Sequence, residues 1–300
     1  MVNLDHLRPE ARIVAMLPCE QRLAHLNLER WIGYTRAHQT LTQLETLFSE
    51  EPGKIRPQNL LIIGASNNGK TMIAEKFKRT HGQRVSDDGE HEIIPIVMMQ
   101  MPAEATPTRL YNALLSALGT PIGCYGRYES REGLVLRLMR TVGVRMLIID
   151  ELHNLLGATA RRQRELLNLL RFLGNELRIP LVCLGIRDAY LAIRSDDQLE
   201  NRFHPFLLPL WESGEEYARL LASFETVLPL REPSHLLTPP LYDLILRDSE
   251  GTIGEMATLL TRTTATALLQ GSESITPSII ERTNYHSPSI RRRMIERELR

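Results

Sequence analysis

The chain has 300 residues, 43% of them hydrophobic and 24% charged, which is enough to bury a continuous core and unlike the composition of a disordered segment. Lys+Arg and Asp+Glu both number 36, so the formal net charge is zero; binding of nucleic acid through bulk positive charge is excluded, and any such site must be a local patch. The three cysteines, Cys19, Cys124 and Cys183, are too few and too scattered for a disulfide framework or a zinc cluster, and they fit a reducing compartment.

The opening stretch MVNLDHLRPEAR has no apolar signal core, and no apolar run approaches the roughly 18 residues of a membrane span, so the expected location is cytoplasmic. The first 50 residues read as helical, with Ala37, Leu41, Leu44, Leu47 and Phe48 on one face. The segment EEPGKIRPQ (50–58) ends that helix with Pro and Gly. Five short apolar runs follow, separated by helical stretches: NLLII (59–63), IIPIVMM (93–99), RMLIID (145–150), IPLVCLG (179–185) and PFLLPL (205–210). Such runs predict an α/β fold with a five-stranded parallel sheet between helices. Between the third and fourth runs, Leu166, Leu169, Leu170, Leu173 and Leu177 form a helix seam that Gly174 interrupts. Pro229, Pro233, Pro239 and Pro240 predict a linker, and beyond it three helical stretches predict a small C-terminal helical domain, with Gly271 stopping the second. The expected division is a helical segment over 1–55, an α/β core over 56–230, and a helical lid with a basic tail over 231–300.

The strongest chemical signal is GASNNGKT, Gly64 to Thr71, directly after the first strand run. It matches G-x-x-x-x-G-K-T, the phosphate-binding loop. Gly64 and Gly69 let the backbone curl so that the N–H groups of Ala65, Ser66, Asn67 and Asn68 can turn toward phosphate oxygens, and the next helix adds its positive end. Lys70 then supplies a cation to the β- and γ-phosphates and Thr71 a hydroxyl to Mg²⁺. The competing reading is a Gly-Asn turn that merely caps a helix. The second signal is MLIIDE, in which an apolar strand delivers Asp150 and Glu151 to its C-terminal end, where ligands bind in open α/β sheets. Asp150 is a candidate for the Mg²⁺ shell and Glu151 for the base that activates water. Alone this run is also what a solvated strand end looks like; 80 residues after a phosphate loop it becomes specific. His153 completes a DELH run like that of helicases, but residues 231–300 are too few and too helical for a second nucleotide-clamping α/β domain, so His153 reads as a helix-start residue.

A phosphate loop, an acidic strand end, a fourth strand, Asn-Arg-Phe and a helical lid together resemble an AAA+ ATPase. The stretches RRQRELLNLLRFLGNEL and SEGTIGE, with DDQLENRFHPFLLPLWE between them, are more particular. They resemble the TniB family of transposition helper ATPases, which is related to TnsC, over nearly the whole chain. The resemblance implies an ATP- and Mg²⁺-dependent regulator that forms a homo-oligomer or filament on double-stranded DNA. It also implies two protein partners, a DDE transposase of the TniA kind and a TniQ-like target selector, and association with the bacterial nucleoid when on DNA. By the same resemblance, Arg202 matches the arginine finger that reaches a neighbouring subunit's nucleotide, with Arg194 in reserve; a surface ion pair is the bland reading of either. The segment Trp31-Ile32-Gly33-Tyr34 would cover the adenine through Ile32 and Tyr34, or serve as plain core. Two positions depart from the AAA+ pattern. Gly185-Ile186 stand where a polar sensor residue ends the fourth strand, leaving Arg187 or Asp188 as substitutes. Gly254 stands where the lid usually carries an Arg, and Arg262 lies two turns further on.

Three basic groups are candidates for DNA. The loop TPIGCYGRYESRE (120–132) carries Arg127 and Arg131 among Tyr125 and Tyr128, a mixture suited to phosphate contact and stacking, and equally to a solvated loop. Arg161, Arg162 and Arg164 open a helix, where their charge opposes the dipole. The tail SIRRRMIERELR has five Arg against two Glu. Rival readings are an IstB or helicase-loader type of helper ATPase, and a signalling or chaperone-like NTPase that binds protein and no DNA.

Overall fold

A computed structural model describes residues 3–120 and 128–299, with no side chains described for 128–130. Cys124, Tyr125 and Arg127 therefore lie outside the described residues. In chain order the helices begin with α1 (Pro9–Ala15), α2 (Cys19–Leu26) and α3 (Thr35–Glu50). Strand β1 (Asn59–Gly64) leads through the glycine loop into α4 (Lys70–Thr80), and β2 (Ile96–Gln100) leads into α5 (Pro107–Ala117) and α6 (Tyr128–Thr141). Strand β3 (Met146–Asp150) runs into one 3-10 turn (Leu152–Gly157) and α7 (Ala160–Leu177). Then come β4 (Leu181–Gly185), α8 (Arg187–Arg194), α9 (Asp197–Glu200) and β5 (Phe203–Leu208). The remainder is helical: α10 (Glu215–Glu225), α11 (Leu241–Ser249), α12 (Ile253–Leu269), α13 (Pro277–Arg282) and α14 (Pro288–Glu298).

The five strands form one parallel sheet in the order β2-β3-β4-β1-β5. Strands β3 and β4 are buried along their whole length, which is why their sequences are unbroken apolar runs. Two expected strands shift by a few residues, and prolines account for both. Pro95 cannot donate to a ladder, so IIPIVMM divides: Ile93 pairs with Arg84 in a separate small hairpin, and β2 starts at Ile96. Strand β5 starts at Phe203 and stops before Pro209; Pro205 is tolerated inside it because β5 is an edge strand. In α7 the seam of Leu166, Leu169, Leu170 and Leu173 is buried, and Gly174 sits where a side-chain carbon would come within 3.3 Å of Leu181.

The chain packs into two compact units, one comprising 36–66 and 70–209, the other 1–35, 67–69 and 210–300. This division differs from the expected boundaries at 55 and 230. The α/β unit has the core made by Leu61, Val97, Leu147, Ile149, Leu166, Leu170, Cys183 and their neighbours. The helical unit buries the inner faces of α10 and α12, including Tyr217, Leu221, Phe224, Met256, Leu259 and Leu260. Helix α2 joins that core through Leu26, and Arg22 forms a buried ion pair with Glu273 at 2.6 Å while its Nε donates to the Pro229 carbonyl at 3.0 Å. The proline-rich segment expected as a linker is part of this unit too: Leu230 and Leu236 are buried in its core and Ser234 Oγ accepts the Ile275 N–H at 2.9 Å. Helix α12 ends at Leu269, and Gly271 follows in the left-handed conformation (φ 71°), as expected of a stop. No described helix is long and apolar enough to cross a membrane.

Candidate nucleotide-binding site

The phosphate end of the α/β unit is built by β1, α4 and β3. Lys70 is the first residue of α4 and is buried; its Nζ donates to the carbonyls of Gly64 at 2.8 Å and Ala65 at 2.7 Å. Burial lowers the Lys70 pKa, and the charges of Asp150 and Glu151 act in the opposite direction. The ammonium is thus held by exchangeable backbone acceptors beside two carboxylates, a position from which it can turn to a stronger anion. Thr71 Oγ1 donates to Asp150 Oδ2 at 2.6 Å, across the intervening strand β4. Asp150 is buried, and its second oxygen accepts the Glu151 N–H at 2.7 Å. Glu151 has left-handed backbone geometry (φ 54°), an uncommon one for this residue type, which turns the chain sharply out of the strand. Its carboxylate lies 3.0 Å from His153 Nε2. His153 is the second residue of the 3-10 turn, in keeping with a helix-start residue, and also touches the candidate base, a contact that the sequence did not reveal.

A hydroxyl and a buried carboxylate in contact form a donor set suited to Mg²⁺, which takes few protein ligands and completes its shell with phosphate oxygens and water. Among the described residues there is no cluster of three or more His, Cys, Asp or Glu side chains that could hold a metal by themselves.

At the sensor position after β4, a side-chain carbon on Gly185 would lie 2.4 Å from Ala189 Cβ. The close start of α8 thus keeps position 185 free of any side chain, and the exposed Arg187 and Asp188 of its first turn are the polar residues that follow.

The tip of the phosphate loop, Asn67–Gly69, belongs to the helical unit. Asn67 and Gly69 are both left-handed (φ 59° and 82°). The Asn67 carbonyl accepts the Gly254 N–H at 3.0 Å, and its side-chain Nδ2 donates to Glu255 Oε1 at 3.2 Å. Gly69 faces Ile253 and the Tyr34 hydroxyl, which would stand 3.3 and 3.4 Å from an added side-chain carbon. Tyr34 stacks edge-on with Trp211 at 5.2 Å, and burial raises its hydroxyl pKa to about 12. Ile32 is buried in the core of the helical unit. Of the adenine candidates, then, Tyr34 stands beside the loop and Ile32 is packed inside.

Arg202 is distant from this end. Its carbonyl accepts the Asn59 N–H at 2.9 Å, which places it at the start of β1, opposite the loop. Burial lowers its pKa, and the charges of Arg56 and Arg171 lower it further, while no ion pair neutralises it among the described residues. Arg194, the reserve candidate, lies 3.7 Å from Glu200. Arg131 is half-buried in α6 with no partner for its Nε among the described residues, and Arg161, Arg162 and Arg164 are exposed at the start of α7.

The family model for the bacterial TniB protein matches residues 22–213. The chain belongs to the TniB family. Its fold is that of AAA+ P-loop NTPases: the ORC2 protein of Aeropyrum pernix, solved with ADPNP and ADP, aligns with a TM-score of 0.59 at 15% identity over 87% of this TniB chain and 70% of its own. The Aeropyrum pernix ORC1 protein, solved in complex with DNA, gives 0.59 at 16% over 86% and 67%. A Walker-type ATPase of Pyrococcus abyssi gives 0.58 at 15% over 91% and 78%. At these identities the likeness concerns the fold. No curated protein matches the sequence.

Proposed function

We propose that this TniB protein is an ATPase that uses nucleotide as a switch to assemble on double-stranded DNA and there recruit a DDE transposase. The observation that carries the ATPase reading is the convergence of Lys70, Thr71, Asp150 and Glu151 at the carboxyl ends of β1 and β3, and membership of the TniB family supports the part that concerns DNA and the transposase. In this reading the loop N–H groups of 65–69 and Lys70 bind the phosphates of ATP. Thr71 and Asp150 hold Mg²⁺, which supplies positive charge to the phosphate oxygens. Glu151 accepts the proton of the attacking water, with His153 orienting its carboxylate through the 3.0 Å contact.

Arg202 acts in trans, its unneutralised charge directed at the γ-phosphate of the next subunit. A homo-oligomer or filament follows, because each site is complete only beside a neighbour. With a net charge of zero, one protomer meets DNA only through local clusters of arginine, so affinity comes from many aligned protomers. The exposed arginines of 161–164 and α14, with Arg131 and the flanking Tyr125 and Arg127, are the candidate contacts. A TniQ-like target selector is the second proposed protein partner, and the nucleoid the proposed location.

The test combines three measurements. ATP hydrolysis should rise on addition of duplex DNA. Sedimentation with MgATP and duplex should give salt-sensitive assemblies that vanish without nucleotide. Immobilised assemblies should retain a DDE transposase. Tight, salt-insensitive DNA binding without ATP would overturn the switch, and hydrolysis indifferent to DNA would favour a protein-directed NTPase.

A further inference from the structure

Four residues of the motif Ser249–Glu255 are fixed by contacts inside the helical unit. Gly251 is left-handed (φ 69°), and an added side-chain carbon would lie 2.6 Å from the Trp211 carbonyl, whose own N–H bonds the Gly251 carbonyl at 2.8 Å. At Gly254 such a carbon would lie 1.9 Å from Asn67 Oδ1, inside any possible van der Waals contact. The two acidic residues of the motif face the C-terminal helix. Glu250 Oε1 accepts the Ser289 N–H at 2.9 Å, in the first turn of α14. Glu255 has a largely buried carboxylate shared between Asn67, the Tyr285 hydroxyl and Arg291, whose Nη2 lies at 2.8 Å. Burial alone would raise its pKa; the hydrogen bonds from Tyr285 and Arg291 outweigh that and hold it below the ordinary carboxylate value.

We infer that Glu255 is a positioning residue that latches the tip of the phosphate loop to helix α14, and that α14 docking and nucleotide binding are therefore positively coupled. The inference rests on the reading of 64–71 as an ATP site. Asn67 must hold a left-handed backbone for the loop to curl, a conformation that a non-glycine residue adopts only at a cost. The Gly254 N–H and the Glu255 carboxylate bond both polar ends of Asn67 in that conformation. Arg291 and Tyr285 in turn hold the carboxylate. Ordering α14 thus orders the loop before phosphate arrives, and by reciprocity bound phosphate must tighten α14.

The experiment uses the full chain and two readouts, MgATP affinity and hydrogen exchange of the α14 amides. Arg291 sits on an exposed helix with no buried residue, so Arg291→Ala leaves the fold intact. It should weaken MgATP binding about fivefold or more and abolish the slowing of α14 exchange that MgATP causes in the wild type. Glu255→Ala should do both more strongly, and Glu255→Gln, which keeps an acceptor for Asn67, should recover part of the affinity. If Arg291→Ala and Glu255→Ala bind MgATP within twofold of wild type, or if α14 exchange ignores nucleotide in the wild type, the latch does not exist. A Lys70→Ala control separates the two levels: if it too binds MgATP normally, the ATP site itself is misassigned, whereas its failure alongside unaffected latch variants refutes the latch alone.

Discussion

Replacing Arg202 by Ala tests the oligomeric site most sharply. Strands β1 and β5 run parallel in register from Asn59 opposite Phe203 to Gly64 opposite Leu208. Arg202 precedes the first of these pairs and the phosphate loop follows the last. The five residue steps between those two pairs alone span roughly 17 Å at about 3.3 Å each, whereas an extended arginine side chain reaches about 7 Å from its Cα. Arg202 therefore cannot touch the phosphates held by its own loop. It is not spent on an ion pair among the described residues either, and it stands beside the like charges of Arg56 and Arg171, an arrangement that an incoming polyanion would relieve. Arg202→Ala should accordingly leave binding of MgATP by the monomer near the wild-type level and lower the hydrolysis rate on DNA by about a thousandfold or more if chemistry limits turnover. Fluorescence titration with labelled ATP reads the first quantity and phosphate release on saturating duplex the second. A mixture with Lys70→Ala protein adds a geometric control, since a mixed pair can place an intact finger on an intact loop; isolated dimers would regain some activity and a continuous array little. Wild-type hydrolysis by Arg202→Ala on DNA would refute the trans assignment and direct attention to Arg194, despite its contact with Glu200.

Three further outcomes are expected. Lys70→Ala removes a buried cation and should cost about 1.5–3 kcal/mol of ATP binding, roughly a 10- to 150-fold rise in Kd; near-normal affinity by calorimetry would contradict the phosphate-site reading. Glu151→Gln should retain MgATP and the DNA-assembled form while hydrolysis stops, because the amide cannot take the proton of water; turnover at the wild-type rate would transfer the role of base to another residue. Gly185→Ala forces a carbon to within 2.4 Å of Ala189 and should destabilise the α/β unit by about 1–3 kcal/mol, seen as a fall of several degrees in the thermal midpoint; an unchanged midpoint would mean that α8 yields freely.

The α/β unit was legible because its determinants are local. A strand buried on both faces must be apolar throughout, so β3 and β4 announced themselves, and the phosphate loop needs its glycines, Lys70 and Thr71 within eight consecutive residues. The boundaries of the units were not legible, because they depend on partners some two hundred residues apart in sequence. Nothing in the short helices α1 and α2 signals that Arg8 will bond the Thr226 carbonyl or that Arg22 will be buried against Glu273. Prolines 229–240 misled for a related reason. They mark a chain that changes direction often, which describes a linker and equally a tightly packed connection whose leucines reach a core.

The missing lid arginine shows how a departure that the sequence displays openly can still conceal its cause. Gly254 stands where the AAA+ pattern leads one to expect an Arg, and from the sequence alone this reads as a lost contact to the γ-phosphate. In the structure no side chain of any kind fits there, because Asn67 of the phosphate loop occupies the space that a Cβ would need. The helix start that would have carried a phosphate-seeking arginine instead lies against the loop, backbone to backbone, and the next residue, Glu255, grips the same asparagine. A helix cannot both approach the loop this closely and project a long cation from the same position. Glycine at 254 and asparagine at 67 are thus one choice and not two, and the choice was invisible beforehand because its halves lie 187 positions apart, in motifs that each look complete alone.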